Sequence, residues 1–78
     1  MNVIETVDIR LAAYAMARGG GLKLIAPRER GEVLYRLEGP DLEEAEIDYA
    51  HFGPRGVTRA RLDRIAELLE AVVPGRRA

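Results

Sequence analysis

Carboxylates are the residues that this chain concentrates where chemistry could follow. Glu38, Asp41, Glu43, Glu44, Glu46 and Asp48 put six acids into eleven positions with no base among them. Such a run could supply an acid–base pair, ligands for a cation, or a negative surface for a cationic partner. A carboxylate pair can cleave glycosides, but it needs a cleft that holds a sugar, and a domain of 78 residues offers little concavity. Calcium loops need a glycine and alternating ligands at fixed positions, and Asp41 to Asp48 has neither. The negative surface remains. From Glu44 to Ala50 the residues alternate, with Ala45, Ile47 and Tyr49 on one side and Glu44, Glu46 and Asp48 on the other. That is the period of a half-buried strand, in which alternate carboxylates stand about 6.6–7 Å apart. A row at that spacing resembles the phosphates of a nucleic-acid strand. Its plain alternative is a solvated outer face that keeps an edge strand from further pairing.

The rest of the inventory excludes more than it offers. Serine, cysteine, glutamine and tryptophan are absent, and there is one histidine, one lysine and one asparagine. Nucleophile–base arrangements, disulfides and thiolate metal sites therefore have no residues to build them. His51, beside Asp48 and Tyr49, reads as a structural histidine near a turn. Gly19-Gly20-Gly21 lies between a helix and a strand, the reverse of the order in phosphate-cradling loops, and reads as a turn. No enzyme, no cofactor and no metal site is expected.

A basic block follows the acids: Arg55, Arg59, Arg61 and Arg64, interrupted only by Asp63. Arg59, Arg61 and Arg64 fall at the start of the last helix and Glu67 and Glu70 toward its end, the reverse of what the helix dipole prefers. Free amides and arginines there suit an anion or a carboxylate-rich surface as a secondary contact. The internal alternative is that these arginines pair with the acids just before them. A formal net charge of −1 argues against broad nucleic-acid binding, which needs a dominant positive field.

The elements that position these groups follow from periodicity. Ile4, Val7, Leu11, Tyr14 and Ala15 recur at helical spacing, so a first helix is expected from Asn2 to Arg18. Asn2 with Glu5 resembles a capping box, and Thr6 is a competing start. Leu22 to Ala26 reads as a strand with Leu22, Leu24 and Ala26 on one face. Pro27 to Gly31 reads as a turn, and Glu32 to Glu38 as a second strand with Val33, Tyr35 and Leu37 inward. The acidic strand at 44–50 would be the third. Leu42, Ala45 and Tyr49 also fall at helical spacing, so a helix over 41–51 is the alternative. Thr58 caps a final helix with a stripe of Leu62, Ile65, Ala66, Leu69, Val72 and Val73, ended by Pro74-Gly75.

The expected fold is α+β, a single small domain over residues 1–75 in the order α-β-β-β-α. Two helices would cover one face of a three-stranded antiparallel sheet, with 76–78 as a flexible basic tail. Ile4, Val7, Leu11, Tyr14, Leu22, Leu24, Val33, Tyr35, Leu37, Ile47, Tyr49, Leu62, Ile65, Leu69 and Val72 would form the core. Ile25, Leu34 and Arg36 would share the open face with Glu46 and Asp48, and an apolar patch of Ile25, Leu34 and Phe52 could support a homodimer. No run is apolar enough to span a membrane and no basic, apolar leader opens the chain, so a cytoplasmic location is expected.

Two families resemble this chain. Its size, its lack of catalytic residues and its clustered acids resemble phage-encoded anti-CRISPR inhibitors. That resemblance implies binding to a Cas protein or complex and blocking of nucleic-acid access by acidic side chains. Partner-binding residues are then Glu43, Glu44, Glu46 and Asp48, against a basic or nucleic-acid-binding protein surface. The stretches Ala17-Arg18-Gly19, Leu22-Lys23-Leu24, Leu34-Tyr35-Arg36-Leu37 and Thr58 to Val72 are similar in order to TubC-type docking domains of peptide-synthetase assembly lines. That likeness implies capture of an upstream tail as an added strand on the hairpin. A small DNA-binding regulator that uses Arg59, Arg61 and Arg64 is the third reading.

Overall fold

The computed structural model describes residues 2–73. It is α+β, with one three-stranded antiparallel sheet and three α-helices, where two had been expected. The elements in chain order are β1 (Asn2–Thr6), α1 (Ile9–Ala17), β2 (Gly21–Pro27), β3 (Val33–Gly39), α2 (Leu42–Phe52) and α3 (Arg59–Ala71). The sheet order is β1-β3-β2, so β3 is central and α1 carries the chain across it from one edge to the other.

Two elements depart from the sequence reading. The third strand is Asn2–Thr6 and not 44–50, and the helical alternative weighed for 41–51 is what forms, over Leu42–Phe52. Val3, Ile4, Thr6 and Val7 are β-branched, which stiffens them toward extended backbone. Ile4 sits opposite Leu37, and both are buried. With β1 on one side of β3 and β2 on the other, the central strand has no edge left for an acidic strand. Helix α1 therefore starts at Ile9. Its cap is Asp8, whose Oδ1 accepts from the amides of Arg10 at 2.9 Å and Leu11 at 3.4 Å. Asn2 caps a different helix: its Oδ1 accepts from the Glu43 amide at 3.4 Å, at the start of α2.

The glycine run closes α1. The Gly20 amide donates to Ala15 O at 2.9 Å and the Gly19 amide to Met16 O at 3.1 Å. This is the double bond of a Schellman ending, with Gly19 at φ +102° as its left-handed residue. The helix ends where expected, but the turn is shorter than the glycine run, since Gly21 already opens β2.

In β3, Val33, Tyr35 and Leu37 are buried and Leu34, Arg36 and Glu38 are half-buried, the alternation read from the sequence. Strand β2 does not alternate. A bulge at Lys23 pairs Leu22 with Leu37 and Leu24 with Arg36, so Leu22 and Ile25 face the core while Leu24 turns outward. Ile25 thus leaves the open face assigned to it, and Leu24 leaves the expected core. The open face keeps Leu34 and Arg36, with Glu5 at 3.9 Å and Glu38 at 3.8 Å from Arg36 Nε.

Helix α1 is the centre of the core. Ala12, Ala13, Tyr14 and Ala15 are fully buried, and the small alanines let neighbouring elements approach closely. It packs on β3, with α2 and α3 packed against it in turn. Leu42 and Ala45 of α2, Leu62 and Leu69 of α3, and Val73 complete the buried set, with Ile65 and Tyr49 partly buried. Fully burying each leucine contributes roughly 1.5–3 kcal/mol. Four expected core residues are exposed: Val7, Leu24, Ile47 and Val72. The predicted stop at Pro74-Gly75 and the tail at 76–78 lie outside the described residues.

Candidate partner-binding surface

The acids divide into two groups once α2 forms. Asp48 turns inward: its Oδ2 accepts from Arg18 Nη1 at 3.2 Å, and both side chains are under one-third exposed. The same Arg18 nitrogen donates to Tyr14 Oη at 2.6 Å, and the buried Tyr14 hydroxyl donates to the Arg55 carbonyl at 2.8 Å. The rings of Tyr14 and Tyr49 lie 5.5 Å apart between centroids. These contacts tie α1 to α2 and to the connection before α3. The Tyr14 hydroxyl and the Asp48 carboxylate raise the Arg18 pKa above its ordinary value. Asp48 thus has an ion-pair partner within the fold, which sets it apart from the other acids of the expected partner-binding row.

Glu43, Glu44 and Glu46 are exposed, as is Asp41. Helical geometry places Glu43, Ile47 and Ala50 on the side away from Leu42, Ala45 and Tyr49, with Glu44 and Glu46 on its two flanks. With a rise of about 1.5 Å per residue, Glu43 to Glu46 spans about 4.5 Å along the axis. The carboxylates form a compact cap and not the extended row that a strand would have made. Glu43 and Glu44 lie in the first turn, where the helix dipole favours negative charge. Local helix physics therefore accounts for two of the acids before any partner is invoked.

Ile47 is 57% exposed and Phe52 is 64% exposed. Both belong to α2, so Phe52 is not on the open sheet face as expected. Arg55 stacks its guanidinium over the Phe52 ring at 4.9 Å from the centroid. The side of α2 that carries Glu43 is thus acidic at its start and apolar at Ile47 and Ala50, while Phe52, five residues beyond Ile47, lies on another side. His51 is exposed, with its ring centroid 6.1 Å from that of Phe52.

Arg59, Arg61 and Arg64 are exposed on α3, whose start is capped by Thr58 Oγ1 accepting from the Arg61 amide at 3.2 Å. Ion pairs among the described residues join Arg10 to Asp63, Arg18 to Asp48, and Arg36 to Glu5 and Glu38. None joins the arginines of α3 to Asp41, Glu43, Glu44 or Glu46, so the internal pairing weighed for these two clusters does not form.

Among the described residues no group of three or more histidines, aspartates or glutamates could hold a metal ion. A concavity of about 770 Å³ opens beneath the 27–32 hairpin loop, lined by Pro27, Arg28, Glu29, Arg30 and Glu32. All five are exposed and no buried polar group converges on it. We attach no chemistry to that space, because an open loop supplies neither desolvation nor fixed geometry. No described helix is long and apolar enough to cross a membrane. No protein-family model, curated protein or solved structure matches the chain.

Sequence reasoning missed the Tyr14–Arg18–Asp48 contacts. Its only available signal was helical: Tyr14 and Arg18 are four apart on α1, and Asp48 adjoins the Leu42–Ala45–Tyr49 stripe.

Proposed function

We propose that the protein is a non-enzymatic interaction module that docks the outward side of α2 on a basic protein surface. In the specific form implied by the likeness to anti-CRISPR inhibitors, that surface belongs to a Cas protein or complex and otherwise receives nucleic acid. The observation that carries this reading is the isolation of Glu43, Glu44 and Glu46. They are exposed, they share a helix with exposed Ile47, and no arginine among the described residues pairs with them. Unpaired carboxylates around an apolar centre suit a cationic partner, since charge steers the encounter and apolar contact holds it. The reading does not depend on phosphate-like spacing, which α2 lacks.

The test is capture of a partner from the native host by the wild-type chain and by the variant with Glu43, Glu44 and Glu46 changed to Lys. Wild type should retain a basic, nucleic-acid-binding protein, and the variant should lose it with its far-UV circular dichroism unchanged. Equal capture by both would refute the role of α2.

The DNA-binding reading rests on exposed Arg59, Arg61 and Arg64, which make no ion pair among the described residues. It requires a duplex mobility shift at low salt that disappears when these three are neutralised. The docking-domain reading is narrowed by β1, which occupies one side of β3 and leaves only β2 as a hairpin edge for an added strand.

A further inference from the structure

We infer that the chain associates with a second copy of itself, α2 of each protomer lying against α3 of the other. Each helix has an outward side that nothing among the described residues covers. On α2 that side runs Glu43, Ile47, Ala50 at helical spacing, flanked by Glu44 and Glu46. On α3 it runs Arg61, Arg64, Leu68, Val72, with Leu68 60% and Val72 56% exposed. Both stripes are charged at the start and apolar farther along, with opposite sign.

Charge complementarity selects the occupant. Asp41, Glu43, Glu44 and Glu46 are four exposed acids around the start of α2, and Arg55, Arg59, Arg61 and Arg64 are four exposed bases around the start of α3. None of the eight makes an ion pair within its own chain among the described residues. A second copy offers each cluster a counterpart of equal size and opposite sign. The net charge of −1 leaves little general repulsion between copies. Reciprocal use of the same two patches is what a twofold contact requires. The apolar stripes give that contact a centre to exclude water. This contact shares the α2 side with the proposed partner, yet depends on no partner, so the purified chain suffices to test it.

Sedimentation velocity over a range of concentrations supplies the test. Wild type should dimerise at about 50 mM salt and weaken at least tenfold near 500 mM, where exposed charges are screened within a few ångströms. E43K/E44K/E46K should be monomeric, because both of its patches are positive. R59E/R61E/R64E should be monomeric, because both are negative. An equimolar mixture of the two should form a heterodimer. If either reversed chain loses its circular dichroism signal, the neutral sets E43Q/E44Q/E46Q and R59Q/R61Q/R64Q replace it, and each should weaken dimerisation. A wild-type monomer at all concentrations, or reversed or neutral chains that dimerise as wild type does, would overturn the inference. Either result leaves the partner-capture outcome free to stand or fall separately.

Discussion

Asp48 and Glu46 sit two residues apart on α2 and have opposite roles. Glu46 is exposed, whereas Asp48 accepts a charged hydrogen bond from Arg18 beside the buried Tyr14. Asp48→Asn should therefore destabilise the fold by about 1–2 kcal/mol, as loss of a charge-assisted bond does in a partly shielded place. Glu46→Gln should stay within about 0.5 kcal/mol of wild type, as exposed substitutions usually do. Urea unfolding of both variants checks the contrast. Tyr49 gives a pH dependence. Burial raises its pKa first, the Asp8 carboxylate raises it further, and Arg10 partly opposes them. Its neutral form is thus favoured by folding. The stability this contributes is complete below the unfolded tyrosine value of about 10 and is lost as pH rises through the higher folded value. The urea midpoint should fall in that alkaline window, and Tyr49→Phe should make the fall shallower.

Glycines Gly20 and Gly21 separate the demands of two adjoining elements. A Cβ on Gly20 would stand 2.9 Å from Ala15 O and 3.0 Å from Leu42 Cδ2, between the end of α1 and the start of α2. On Gly21 it would meet nothing closer than 3.7 Å. Gly20→Ala should cost about 1–3 kcal/mol by overpacking, and Gly21→Ala should be tolerated. Thermal denaturation distinguishes them, and equal midpoints would contradict the close approach. At this scale the sequence was legible wherever one period had no competitor. The inward side of β3 and the Leu62–Leu69 stripe of α3 were read from spacing alone, and the end of α1 from the glycine run that follows it. The misread elements carried two signals. Residues 2–7 combine β-branched side chains with Ile4 and Val7 at helical spacing, and 42–50 satisfies both the alternating and the helical pattern. In β2 the bulge at Lys23 breaks the period itself, which no alternation rule anticipates.

Across the molecule, β3 is the one strand of this sheet bonded on both sides, and its inner side lies under α1. Its amides should exchange with solvent more slowly than those of β1 and β2, whose outer edges are unpaired within the sheet. Hydrogen exchange read by NMR would show this ranking, and faster exchange in β3 would contradict the sheet order. The amino-acid sequence by itself determined the α+β class, the three-stranded antiparallel sheet and the lack of residues for common nucleophilic catalysis, because composition and hydrophobic period act locally. It also located the acidic and basic clusters. Tertiary structure decided which segment became the third strand, because β3 has two sides to pair and Ile4 buries against Leu37 on the one that β2 leaves. That choice freed 42–52 to fold as a helix, turned Asp48 inward to Arg18 and left Glu43, Glu44 and Glu46 outside. Whether those acids meet the arginines of their own chain depended on where two helices came to rest, and pairing of that kind is set by packing between elements, which spacing along the chain does not encode.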